Sequence, residues 1–385
     1  MKIALVLGTS AGGVGRHVHS VASGLVRRGD HVVVIGPAGT EELFGFTAAG
    51  ARFEPVEISD RPHPVRDPRT VARLRRLLRG ADVVHAHGLR AGALAVLALG
   101  PRRSTRRGPP LVVTLHNAVI AKGAVGAVYG VLERIVASGA AGVLGVSPDL
   151  EERMRALGAR QVGPALVPAP PPAEQAGPAD RARVRDELGS SERPLLLTVA
   201  RLADQKGLLT LLDAAAAWTG RTPRPLVVIA GDGPLEGTLR GRIEAENLPV
   251  RLLGRRDDVP ALLAAADVVV VPSVWEGQPL VVQEALRAGR PLVATEVGGM
   301  PGLVGGAALL VPAGDAEALR RAVEQILDDA ATAVRLGAAA AQRATELPSE
   351  DDAVDQLAGV YQALGPRGPG GPPGPRGSGG PRRLD

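Results

Sequence analysis

Val271-Pro-Ser-Val-Trp-Glu-Gly-Gln-Pro-Leu-Val-Val-Gln-Glu-Ala-Leu286 decides how this chain is read. The four valines at 268–271 make the apolar run of a strand buried on both faces. Pro279 suits the first position of a helix, so the stretch reads strand, turn, helix. Glu276 falls in the turn, and Glu284 about one turn inside the helix. In an open α/β sheet this is the carboxyl edge, where ligands bind. A second glycine-rich turn follows, Thr295-Glu-Val-Gly-Gly-Met-Pro301, and Arg201 and Lys206 come just after an earlier strand. Two carboxylates, two cations and a glycine pair thus share one rim. That set suits a ligand with hydroxyls at both ends and a diphosphate between.

Working outward, 385 residues exceed the usual single domain, and two are expected. Hydrophobic residues make up 45 % but aromatics only 2 %, so the cores must be built from Val, Leu and Ala. The formal charge is +5; residues 365–385 hold four Arg and one Asp, and without them it is +2. The basic pI therefore owes much to a tail and demands no nucleic-acid partner. With no cysteine, a disulfide scaffold and thiolate metal sites are excluded. The first apolar residues run straight into glycines, too short for a signal segment, and no apolar run reaches spanning length unbroken. A soluble, cytoplasmic protein is expected.

The first half alternates strands and helices. Strands are expected at 3–7, 31–35, 52–56, 83–86, 111–115 and 142–146. Gly8-Thr-Ser-Ala-Gly-Gly-Val-Gly15 opens a helix after the first strand, and that helix ends near Gly29. The spacing of Gly12, Gly13 and Gly15 is not G-x-G-x-x-G, and Ile35-Gly36-Pro37 offers no acid for a ribose, which argues against a dinucleotide fingerprint. Polar residues stand at strand ends: His85 and His87, His116-Asn117, and Ser147. Arg102, Arg103, Arg106 and Arg107 crowd one loop, and Arg73, Arg76 and Arg79 share a helical face by spacing. Residues 118–137 are apolar and small, either a docked helix or a lipid-facing one.

Residues 168–178 read as a proline-rich hinge, semi-rigid and extended. A second alternation follows, with strands expected at 195–199, 226–230, 250–253, 268–271, 292–295 and 308–311. Asp315 can cap the helix after it, and 350–364 reads as a last helix. Glycine recurs at every third position from 365 to 380, six in all. Six Gly-X-Y triplets are too few for a free triple helix, so a disordered cationic tail is expected.

Taken in order, these residues resemble the family-4 glycosyltransferases of GT-B fold. The matching residues are Arg201, Lys206-Gly207, Gly231-Asp-Gly-Pro234, Glu276-Gly277, Pro279-Leu280, Glu284-Ala285, Gly289, Pro291 and Gly298-Gly299. The resemblance spans nearly the whole chain before the tail. It departs at Gln278, where the family usually has an apolar residue, and at Gly302, where a glutamate often follows the proline.

The resemblance implies two Rossmann-like doubly wound domains facing across a cleft. The acceptor domain would be 1–167 and the donor domain 179–348, with the 349–364 helix returning to the first domain. It implies a retaining transfer of sugar from a nucleoside-diphosphate sugar to a hydroxyl on a glycan, glycolipid or small molecule, with no metal or other cofactor. Arg201 and Lys206 would hold the diphosphate, where charge grows in the transition state. Glu276 would contact the transferred sugar, Glu284 the ribose, and His116 the sugar and diphosphate. Gly231, Gly277, Pro279 and Leu280 would line the donor, Gly298-Gly299 would offer a backbone anion nest, and Gly12, Gly13 and His87 would face acceptor or phosphate. Either arginine patch could touch an anionic membrane peripherally, though solvated surface is the simpler expectation. A glycoside-hydrolase pair would not need two cations. A non-catalytic nucleotide-binding relative would fit Gln278 and Gly302, and an oxidoreductase would bind nicotinamide in the first domain.

Overall fold

The apolar runs resolve into two all-parallel sheets in a computed structural model that describes residues 1–10, 12–100, 108–119, 123–172 and 176–364. The arginine-rich loop at 102–107, Lys122 and the Gly-X-Y tail lie outside the described residues. The first sheet holds β1 (Lys2–Leu7), β2 (His31–Gly36), β3 (Arg52–Pro55), β4 (Val83–His87), β5 (Leu111–Leu115), β6 (Gly142–Gly145) and β7 (Val162–Pro164), in the order 3-2-1-4-5-6-7. The second holds β8 (Leu195–Val199), β9 (Leu226–Ala230), β10 (Val250–Gly254), β11 (Val268–Val271), β12 (Leu292–Thr295) and β13 (Leu309–Val311), in the order 10-9-8-11-12-13. In each sheet the order reverses beside the first strand, between β1 and β4 and between β8 and β11. Such a switch point opens a crevice at the carboxyl ends of the strands.

Both faces of the second sheet are covered, which is why its strands are apolar without alternation. Leu195 and Leu197 enter one core with Val269, Ala285 and Leu286, while Leu196 enters the other with Trp218, Val268 and Val270. The first domain's core also takes in Val354, Leu357 and Tyr361 of the last helix, Glu350–Leu364. That helix lies on the first helix, Gly13–Arg27, close enough that a Cβ on Gly24 would stand 2.4 Å from Val354 Cγ2. Asp315 caps as expected, accepting from Ala318 N at 2.8 Å.

Three local expectations are corrected. β7 is an additional strand: it is three residues, half-buried, with a glycine and a proline. Pro279 precedes its helix, with ψ 127° keeping it extended, and the helix is Leu280–Arg287. Arg79 falls beyond the end of its helix, Arg66–Leu77, so only Arg73 and Arg76 project from it.

Residues 165–170, between the sheets, are strapped to the Leu280–Arg287 helix and the turn before it. Val167 N donates to Gln278 Oε1 (2.9 Å) and Ala169 N to Gln283 Oε1 (2.8 Å), while Arg287 donates to the carbonyls of Ala169 (2.7 Å) and Pro170 (2.9 Å).

Candidate active site

The turn after β11 is laced to the turn after β8. Glu276 is buried, and its Oε1 accepts from Lys206 Nζ at 2.6 Å and Ser273 Oγ at 2.7 Å. Lys206 ends the short turn Asp204–Lys206, and Gly207 follows with φ +61°; an added Cβ there would stand 1.9 Å from the Pro272 carbonyl oxygen. Only glycine lets the two turns close to this distance. Val274 N donates to the Gln205 carbonyl (2.8 Å), and Gln205 Nε2 to the Trp275 carbonyl (3.0 Å).

Gly298 packs from the other side, with φ +52° and a Cβ position 2.0 Å from the Glu276 carbonyl oxygen. Gly299 N donates to that carbonyl at 2.9 Å. The expected anion nest is therefore corrected at Gly299: its N–H is spent on holding the Glu276 turn.

Glu284 differs from Glu276. It is half-buried, and among the described residues it has no hydrogen bond or ion pair to protein. Burial pushes its carboxyl above the usual range, with the positive charges of Arg16 and Arg287 pulling it back. A carboxylate in this state can accept two ligand hydroxyls. Arg201 stands exposed beyond β8. Its neighbours are fixed by the β9 loop, Leu202 N donating to the Asp232 carbonyl at 2.7 Å and Gly231 backing onto the Ala200 carbonyl. Gly13 brings the first domain onto the same rim: a Cβ there would lie 3.5 Å from Leu280 Cδ1, whereas the Gly12 position faces open space.

His87 and His116 meet at the carboxyl ends of β4 and β5, His87 Nδ1 lying 3.2 Å from His116 Nε2. His17, from the first helix, closes the group, its ring centroid 5.6 Å from each. His85 lies behind, 2.6 Å from Tyr361 Oη and 2.8 Å from Thr114 Oγ1. Burial depresses all four, and neighbouring imidazoles add to it for His85, His87 and His116. His17 falls to about 4 and His85 to about 3. The cluster is therefore neutral at pH 7, a hydrogen-bonding wall rather than a charge. Among the described residues, His87 Nε2 and Ser147 Oγ are buried without a protein partner. Sequence reasoning missed His17 because nothing in its helix marks it; its partners come from two distant strands.

Gln278, a departure from the family pattern, is fully used. Its Nε2 donates to the carbonyls of Ala165 (2.6 Å) and Val146 (3.3 Å), and its Oε1 accepts from Val167 N. At Gly302, the other departure, the carbonyl accepts from Arg343 at 2.8 Å.

Two doubly wound domains, with carboxylates and cations gathered where their sheet edges meet, define a GT-B architecture. Residues 12–170 match the model of the glycosyl transferase 4-like domain, and residues 180–343 that of glycosyl transferases group 1. The chain belongs to this family of glycosyltransferases, family 4 of GT-B fold. It is 31 % identical to 2-deoxystreptamine glucosyltransferase of Streptomyces kanamyceticus, over 65 % of this chain and 69 % of that protein. It is 35 % identical to alpha-D-kanosaminyltransferase of the same organism, over 49 % of this chain and half of that one. Among solved structures, Anabaena HepE in complex with UDP-glucose superposes with a TM-score of 0.80 at 22 % identity, covering 94 % of this chain and all of that one.

Proposed function

We propose that this protein transfers a sugar from a nucleoside-diphosphate sugar to an acceptor hydroxyl, with retention of configuration and without a metal. The observation that carries this is the pair of unlike glutamates on one rim. Glu276, held by Lys206 and Ser273, would contact the transferred sugar. Glu284, without a protein partner among the described residues, would be available to the ribose. Arg201 and Lys206 would meet the diphosphate as its charge grows. His116, with His87 and His17 behind it, would face the sugar from the first domain as a neutral donor or acceptor. The glycosyl-transferring relatives and the UDP-glucose complex of HepE support a nucleotide-sugar donor. The full hydrogen-bonding of Gln278 removes one motive for reading the chain as a decayed, non-catalytic relative.

Incubation of the purified protein with a panel of nucleotide sugars should release nucleoside diphosphate from at least one of them. Release should quicken with an acceptor and be unaffected by EDTA, and the product's anomeric NMR coupling should match the donor's. Absence of release and of binding across the panel overturns the proposal.

Peripheral contact with an anionic membrane belongs to the same reading. Among the described residues no helix is long and apolar enough to cross a membrane. The helix Gly123–Gly139 docks through Leu132, Val136 and Ala137 but leaves Val125, Val128 and Val131 exposed. Exposed Arg73 and Arg76 stand on a helix two along in the same layer. Sedimentation with phosphatidylglycerol vesicles, abolished by high salt, is the expected result.

A further inference from the structure

Glu276 sits at a seam. Its carboxylate is gripped by Lys206 and Ser273 of the second domain, while the residues on both sides of it are fastened to the first. Trp275 belongs to the second domain by chain position, yet the residue is only 7 % exposed and packs in the first domain's core. Its indole Nε1–H donates to Asp149 Oδ2 at 2.8 Å. Asp149 lies in the first turn of the helix Pro148–Ala156, directly after β6. On the other side, a Cβ on Gly277 would stand 2.3 Å from Val146 Cγ2, and Gln278 binds the Val146 carbonyl. Glu284 is attached to neither Trp275 nor Asp149; its neighbour Gln283 is held instead by Val167 and Ala169 of the connecting segment.

We propose that Trp275 and Asp149 form a positioning pair that sets the orientation of Glu276 from the first domain. The inference rests on the transfer reaction proposed above. Breaking the pair should leave the nucleotide grip of Glu284 and Arg201 in place, because neither is attached to Asp149. It should loosen Glu276 against the sugar, and a displacement near 1 Å costs on the order of a hundredfold in rate.

The test uses the full chain, UDP-glucose as donor and UDP as ligand. Trp275→Phe, which loses the N–H, and Asp149→Ala should each lower kcat roughly tenfold to a hundredfold, with UDP affinity by calorimetry within about twofold of wild type. Asp149→Asn keeps an acceptor oxygen for the indole and should restore kcat. A second readout needs no donor: of the two tryptophans, Trp218 is fully buried, so greater acrylamide quenching in Asp149→Ala reports release of Trp275. Unchanged kcat in both variants, or a loss of UDP affinity equal to the loss of kcat, overturns the pair, as does unchanged quenching. Failure of the transfer reading would appear instead in the wild-type protein, as no release of nucleoside diphosphate from any donor.

Discussion

Acidification should unfold this protein through its histidines well before its carboxylates matter. The perturbation is a shift from pH 7.5 to pH 5. His17, His85, His87 and His116 are all depressed by burial, His17 to about 4 and His85 to about 3, against an ordinary 6.5. In the unfolded chain each titrates near 6.5, so between that value and its folded one the unfolded state binds more protons. The sign follows from linkage: stability is full above about pH 6.5 and falls as pH falls. At pH 5 an unfolded histidine with a pKa of 6.5 gains about 2 kcal/mol from protonation, and a folded one titrating at or below 4 gains almost nothing. His17 and His85 together give about 4 kcal/mol as an upper bound, a large share of a domain's stability, and His87 and His116 act in the same direction. Glu284, raised by burial, works in the opposite direction, but it is one group against four and acts nearer the carboxylate range. Urea unfolding followed by far-UV circular dichroism at pH 7.5, 6 and 5 measures the effect. A loss below about 2 kcal/mol, one histidine's worth, refutes the argument that the cluster is held neutral.

Glu284→Gln should mainly raise the donor KM, because the ribose does not change during transfer. Lys206→Ala should mainly lower kcat, by about 30- to 1,000-fold for a charge contact worth roughly 2–4 kcal/mol; it also strips Glu276 of its cation. A raised KM with kcat unchanged for Lys206→Ala would mark Lys206 as a ground-state binder. Gly207→Ala should destabilise by more than about 3 kcal/mol, from left-handed strain plus the clash with the Pro272 carbonyl; an unchanged Tm would contradict the close approach of the two turns. Deletion of residues 365–385 should leave turnover on a soluble acceptor intact, and a large loss there would show that the tail does more than carry charge.

The strands are legible because a parallel sheet covered on both faces must be apolar throughout, and runs such as 268–271 admit little else. β7 is not legible for the same physical reason. An edge strand of three half-buried residues pairs with one neighbour only, so Val162-Gly-Pro164 needs no apolar run. The helix that carries Glu284 starts one residue later than its proline suggests, because proline fixes φ but not ψ, and Pro279 takes the extended value.

The candidate site's groups are legible where they follow a strand or lie close along the chain. Glu276 and Glu284 sit on one strand–turn–helix unit, and Lys206 declares itself by following a strand into a glycine. His17 and Asp149 do not, since their partners are brought by tertiary packing. Gln278 shows the limit most sharply. As a letter in a motif it is an anomaly in an apolar position. As a side chain it satisfies three backbone groups of the first domain and the connecting segment, one of them 111 residues away in sequence. Gln278 is half-buried, and an amide taken partly out of water needs its donors and acceptor used; the first domain and the connection, lying against this turn, supply the partners. The same condition governs Trp275, whose N–H needs Asp149. Two polar groups flanking Glu276 thus find these protein partners only with the domains together. Separating the domains would exchange these partners for water and expose the Trp275 ring, and the apolar surface lost from the first domain's core favours the arrangement in which Glu276 is set from both sides.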